Sequence, residues 1–352
     1  MDQSRVEFLK RLLTTPGPSG DEAAAARVWR ENAEQFADQV YADVSGNSFA
    51  VLEGNATRVL LAGHIDEIGL MISHIDENGY LSFSPIGGWD AQVLVAQRVR
   101  LLGRNGEIVG VIGKKPIHLL KPEERTQAST IDRMWIDIGA ANRDEALELV
   151  RVGDVGVIDA PLYELPNNRI VSRSLDNRIG AFVVLEALRL LAEQRPAATV
   201  AAVATAQEEI TFAGASTAAY SFAAQIAIAV DVTFATDHPE SNKNQWGDVK
   251  LGGGPVLARG SANSPLVYRR LIEIAERDNI PYSVQIAPRY TGTDADAIHK
   301  IRGGVATGVV SIPNRYMHSP NEMIQLEDVE HAARLIAAFV RDISGQDEFI
   351  PR

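Results

Sequence analysis

RVLLAGHID, Arg58 to Asp66, is a short apolar, β-prone run that stops on polar residues, and three later runs end the same way. TVAAVATA, from Thr199 to Ala206, leads into Gln207, Glu208 and Glu209. QIAIAV leads into Asp231, and VATGVVSI, from Val305 to Ile312, runs on toward His318. Continuous apolar runs of this length mark strands buried on both faces. Helical periodicity fills the chain around them. Val6, Leu9, Leu12 and Leu13 fall at helical spacing before the break TTPGPSG, and a second helix is expected over Glu22 to Phe36. Further helices are predicted over Leu175 to Leu191, with Ser174 as N-cap, Gly214 to Ala224, Leu266 to Asp278 and Leu326 to Ser344. Strands alternating with helices predict an α/β fold: a mainly parallel sheet covered by helices on both faces.

Between Ile68 and Pro166 the pattern changes. Short runs such as YLSFSPI, RVRLLG, EIVGVIG and MWIDIG alternate with glycine-containing turns, and NRDEALEL is the one helical piece. This segment reads as a small β-barrel domain, 68–166, inserted into a larger domain built from 1–67 and 167–352.

Composition narrows the function. With 45% hydrophobic and 23% charged residues the chain is an ordinary globular protein. A formal net charge of -12 repels phosphate backbones, so nucleic acid is not an expected partner. The absence of cysteine rules out disulfides, thiolate nucleophiles and sulfur-ligated metals; any metal falls to His, Asp and Glu. Neither a signal peptide nor an apolar run long enough to span a membrane is apparent, and a cytoplasmic location is the default expectation.

Ligands in open α/β sheets bind outside the carboxyl ends of the strands, where His64, Glu208, Glu209, Asp231 and His318 all fall. Asp176, in SRSLDNRIGAF, opens a helix and can turn toward the same edge, a position suited to a carboxylate bridging two metals. Two imidazoles and three carboxylates, His64, Asp176, Glu209, Asp231 and His318, make a ligand set for two divalent ions, zinc first, with cobalt or manganese as alternatives. Asp66, two residues beyond His64 on a strand-like segment, is placed to fix the His64 tautomer. In an extended backbone adjacent Glu208 and Glu209 point apart; Glu209 is assigned to metal and Glu208 to proton transfer. The implied chemistry is hydrolysis by a metal-activated water, with Glu208 as general base. Each residue has a bland alternative, a cap at Asp176, a turn residue at Asp231, a solvated edge at Glu208 and Glu209, but all five coinciding at strand ends is hard to explain that way. His74, His118, His238, His299 and His331 are expected to be structural.

PGPSG at Pro16, GHIDEIGLMI at Gly63, RVGDVGVID at Arg151, SRSLDNRIGA at Ser172, QEE at Gln207, VDVT at Val230, GTDADAI at Gly292 and MHSP at Met317 together resemble the glutamyl-aminopeptidase and endoglucanase-M family. These co-catalytic metallo-aminopeptidases include the tetrahedral TET particles. The resemblance implies that His64 and Asp231 complete one metal each, with Asp176 bridging alongside Glu209 and His318, Glu208 as base and Asp66 orienting His64. It also implies trimming of short peptides from the N-terminus, and subunit contacts through the inserted β-domain in dimers that assemble into dodecamers. Thr211 and Ala213 after QEE, and Thr291 and Asp296 where the family has glycines, depart from the pattern. The added Asp296 raises the expectation of a preference for basic N-terminal residues. The rival readings are a di-metal deacylase or carboxypeptidase, and a non-enzymatic assembly protein with a vestigial site.

Overall fold

The computed structural model describes residues 1–352 apart from 56, 345, 346 and 352. An eight-stranded sheet forms the centre, and its inner four strands are the four apolar runs, now Thr199–Thr205, Arg58–His64, Ile226–Phe234 and Ala306–Asn314 in spatial order. Neighbours within this set pair in parallel. Ser48–Leu52 and then Gln39–Ala42 extend one side antiparallel, while Val256–Gly260 pairs antiparallel with Ala306–Asn314 and carries Ser283–Ala287 in parallel on the other edge. The sheet is thus parallel at its core and mixed at its flanks.

Helices cover both faces, as expected. Gln3–Thr14, Ala23–Ala33, Leu175–Glu193, Pro265–Arg277 and Leu326–Asp342 bury one face around Leu61, Phe182, Val184, Ile228, Ile312 and Phe339. Ala213–Phe222 and Ala295–Ile298 close the other over Leu60, Ala62, Ala201 and Ala227. Alanines dominate that second layer, which lets short helices lie close to the sheet.

The expected barrel is present. Gly69–Ile75, Leu81–Ile86, Met134–Asp137, Gly106–Lys114, Arg98–Gly103 and Val155–Ile158 close on one another in that order, antiparallel throughout, around Leu70, Ile72, Leu101, Ile112 and Ile136. The helical piece Arg143–Leu149 starts on Asn142, whose side chain accepts from the Glu145 amide. No helix among the described residues is long and apolar enough to cross a membrane.

Two local expectations fail. Ser174 is left-handed (φ 60) and makes no capping bond; its hydroxyl donates to the Leu13 carbonyl instead. Asp176 and Asn177 are non-helical, so the regular helix begins only after them. The apolar spacing of Leu175, Ile179 and Phe182 is the same whether or not the first turn is helical, and periodicity alone therefore starts the helix too early.

Candidate metal centre

The parallel core brings the site residues together because its strands all end on one side. His64 is the last residue of its strand, paired with Thr205, and Asp231 lies near the end of the next strand over. After Thr205, left-handed Gln207 (φ 60) turns the chain so that Glu208 and Glu209 open a short helical turn, Glu208–Thr211. The pair is therefore not on extended backbone, but successive helical residues also diverge, by about 100°. His318 is left-handed as well (φ 58). Such conformations in non-glycine residues cost of order 1–3 kcal/mol and gather where a site dictates the backbone. Gly63 and Gly180 allow the helix that follows Asp176 to approach the His64 strand: a Cβ at Gly63 would stand 2.4 Å from the Gly180 carbonyl carbon.

Six side chains converge. His64 Nε2 lies 3.2 Å from Asp176 Oδ1, 3.5 Å from Glu208 Oε2 and 3.9 Å from Asp231 Oδ1. His318 Nε2 lies 3.2 Å from Asp176 Oδ2 and 3.5 Å from Glu209 Oε2. Among the described residues two groups have donor atoms close enough to share an ion: His64, Asp176 and Asp231, and Asp176, Glu209 and His318. Asp176 is common to both and turns one oxygen to each. His64 and Asp231 stand in the same group, not one in each as expected, because they close adjacent parallel strands.

A second layer holds these groups, and the sequence reading largely missed it. His64 Nδ1 is 3.1 Å from the Asp66 carbonyl and 3.4 Å from Asp66 Oδ1, so the tautomer is fixed chiefly by Asp66's backbone, with its carboxylate alongside. That carboxylate accepts from the Glu208 and Glu209 amides and from Ser19 Oγ at 2.6 Å. Glu22, just beyond PGPSG, accepts from the Gln207 amide, so this segment is tied to the Glu208 turn once directly and once through Asp66. Glu322, buried, accepts from the amides of Asp176 and His318. Asn177 donates to the Val230 carbonyl and accepts from the Gly180 amide. Asp66, two residues beyond His64, is the member of this layer that the sequence singled out. Ser19→Ala should cost about 1.5–3 kcal/mol of stability, because a buried carboxylate loses a charge-assisted partner. A shift in denaturant midpoint at unchanged m-value measures it.

The electrostatics suit cations. Burial, together with the neighbouring carboxylates, pushes Asp231 and Glu208 well above the usual carboxylate range and Glu209 up to about 8. Against burial, which lowers it, Asp176 and Glu209 hold His318 up at about 9. Glu209 Oε1 is buried without a hydrogen-bond partner. Four carboxylates gathered around two imidazole nitrogens, with an oxygen left unsatisfied, repel one another unless positive charge lies among them. The donors are hard oxygens and borderline nitrogens, in the mix that zinc, cobalt and manganese accept. The residues therefore fit divalent ions.

A cavity of about 470 Å³ between Gln3–Thr14 and Leu326–Asp342 holds none of this chemistry, whereas one of about 370 Å³ opens directly on His64, Asp176, Glu208, Glu209, Asp231 and His318. Asp294, buried behind the site, was not singled out by the sequence: Thr205 donates to its Oδ2, Oδ1 has no partner, and burial pushes it up to about 6. The remaining histidines lie outside both groups. His299 and His238, for example, face backbone carbonyls of Ala295 and Pro239.

A family model described as M42 glutamyl aminopeptidase matches residues 46–335. Lysyl aminopeptidase of Pyrococcus furiosus is 38% identical over 347 residues, 97% of this chain and 98% of the relative. A TET aminopeptidase from a marine-sediment Thaumarchaeota archaeon superimposes with a TM-score of 0.92 at 34% identity, over 97% of this chain and 96% of that one. The Pyrococcus horikoshii TET1 peptidase, described as assembling into a tetrahedron or a large octahedral shell, gives 0.86 at 31% identity, over 96% and 100%. The chain is a peptide-bond hydrolase and belongs to the M42 glutamyl aminopeptidase family.

Proposed function

We propose that this chain removes N-terminal residues from short peptides with two divalent ions, held by His64, Asp176 and Asp231 on one side and Asp176, Glu209 and His318 on the other, and that Glu208 is its general base. The observation that carries the reading is the Asp176 carboxylate, whose two oxygens lie 3.2 Å from Nε2 of His64 and 3.2 Å from Nε2 of His318. Zinc is the first choice of metal, with cobalt and manganese chemically acceptable.

Bound ions would supply Lewis acidity, polarising the scissile carbonyl and making water nucleophilic near neutral pH. The protein's own groups do the rest. His64 donates from Nδ1 to the Asp66 carbonyl, leaving the Nε2 lone pair directed into the site. Glu208, 7% exposed and 3.5 Å from that nitrogen, takes a proton from water and returns it to the leaving amine. Its raised affinity for protons, caused first by burial and then by Asp231 and Asp294, suits a group that holds a proton between the two transfers.

The proposal includes self-assembly. On the barrel strand Gly106–Lys114, Val109 and Val111 are 56% and 46% exposed, and Ile117 and Leu119 follow at 59% and 67%, an apolar strip suited to contact with further copies.

Paired peptides with free and acetylated N-termini test the function. Cleavage of the free peptide alone, lost on chelation and regained with zinc, cobalt or manganese, is the expected result. Equal cleavage of the acetylated peptide would favour a deacylase, and activity that survives chelation would end the two-ion reading.

A further inference from the structure

Resting on the aminopeptidase reading, the cavity itself speaks to which N-terminal residue is accepted. Beyond the proposed ligands and base, its wall is made by Phe212, Phe234 and Met317 and by Thr233, Thr291 and Thr293, with smaller apolar surface between them. Phe212 is half-buried and packs on the alanine-rich layer, and Met317 is half-buried against the larger core. Phe234 is 52% exposed, with its ring 6.2 Å from that of Trp246. The threonine hydroxyls are occupied: Thr233 donates to Gln285 Oε1, and Thr291 and Thr293 Oγ1 lie 2.9 Å apart.

Among the described residues, no lysine or arginine lines this cavity, and no carboxylate other than those assigned to the ions and the base. Four carboxylates offset two divalent ions, so those groups leave no net charge to attract a charged side chain. Asp296, the acid on the loop that carries Thr291 and Thr293, is committed elsewhere. Its carboxylate accepts from the Thr291 amide at 3.0 Å, the Gly292 amide at 2.9 Å and Thr291 Oγ1 at 2.9 Å, pinning the loop that forms the rim. A carboxylate saturated by its own loop is not available to an incoming ammonium group, and the expected preference for basic residues loses its basis. An ammonium or carboxylate entering this cavity gives up water and gains no partner, whereas an apolar side chain gains contact.

We propose that the enzyme selects uncharged, apolar N-terminal residues of the leucine, methionine and phenylalanine class, with Phe212, Phe234 and Met317 as the specificity wall and Asp296 as a loop anchor only. The test compares chromogenic amides of Leu, Phe, Lys and Glu on the metal-loaded full chain. Leu and Phe should exceed Lys and Glu in kcat/KM by about tenfold or more. Equal or faster turnover of Lys or Glu overturns the proposal while leaving the aminopeptidase reading intact; no turnover of any amide overturns both. Phe234→Asp, at a half-exposed position the fold tolerates, should raise the Lys-to-Leu ratio about tenfold or more by placing a carboxylate at the wall, and an unmoved ratio overturns the wall assignment. Asp296→Asn should lower the melting temperature and leave the Lys-to-Leu ratio unchanged. A fall in that ratio would return specificity to Asp296 and overturn the anchor role.

Discussion

Glu208→Gln should lower kcat about a thousandfold, within the range a positioned general base contributes, with KM and metal content near those of the parent. The substitution is nearly isosteric, and the Glu208 amide keeps its bond to Asp66 Oδ1, so the turn that also carries Glu209 stays in place. What disappears is the ability to accept a proton. Burial and the surrounding acids already disfavour a charge here, so a neutral amide introduces no new electrostatic conflict, and the melting temperature should hold or rise. Steady-state kinetics on the best amide, with elemental analysis of the same sample, separates the outcomes. If kcat falls less than tenfold while both ions remain, the proton passes through another group; Asp294, buried nearby with an unpartnered oxygen, is then the first to examine.

What could be read in the residues depended on how far each element is buried. The four inner strands are covered on both faces and so read as unbroken apolar runs, which is why RVLLAGH and IAIAVDV were legible. The two edge strands were missed for the opposite reason. Gln39–Ala42 is four residues long and mostly exposed, and Ser283–Ala287 alternates half-buried with exposed residues at the sheet edge. Their mixed character produces neither an apolar run nor a helical period.

The site divides along a similar line. Ligand candidates announce themselves, because imidazole or carboxylate after an apolar strand is an unusual juxtaposition. Ser19, Glu22, Asn177 and Glu322 do not, since they act mainly by bonding backbone amides, carbonyls or one another's partners across long sequence separations: Glu322 reaches the Asp176 amide over 146 residues. Any polar residue could serve such a purpose, and only folded coordinates tell which one does. Pairing within the site was also hidden, for His64 and Asp231 share a group solely because their strands are neighbours, an order that chain sequence does not reveal.

Asp176→Ala should abolish measurable activity and reduce bound metal from two ions toward one or none per chain. The other proposed ligands each stand in a single group, whereas Asp176 stands in both, so its loss leaves His64 with Asp231 and His318 with Glu209, two donors apiece. Two protein donors are fewer than the three that catalytic zinc sites ordinarily supply. In the metal-free protein, against the burial that opposes its charge, the Asp176 carboxylate is held ionised by His318 and His64, so its loss should lower the melting temperature of the metal-free variant below that of the metal-free parent while circular dichroism still reports a folded chain. That separation matters, because it distinguishes a lost ion site from a lost fold. His318→Ala provides the internal control: it strips one group only and should keep an ion at His64, Asp176 and Asp231. Should Asp176→Ala retain two tightly held ions through gel filtration, or should His318→Ala lose both, the shared-carboxylate arrangement is wrong and the two groups must be held by some other connection.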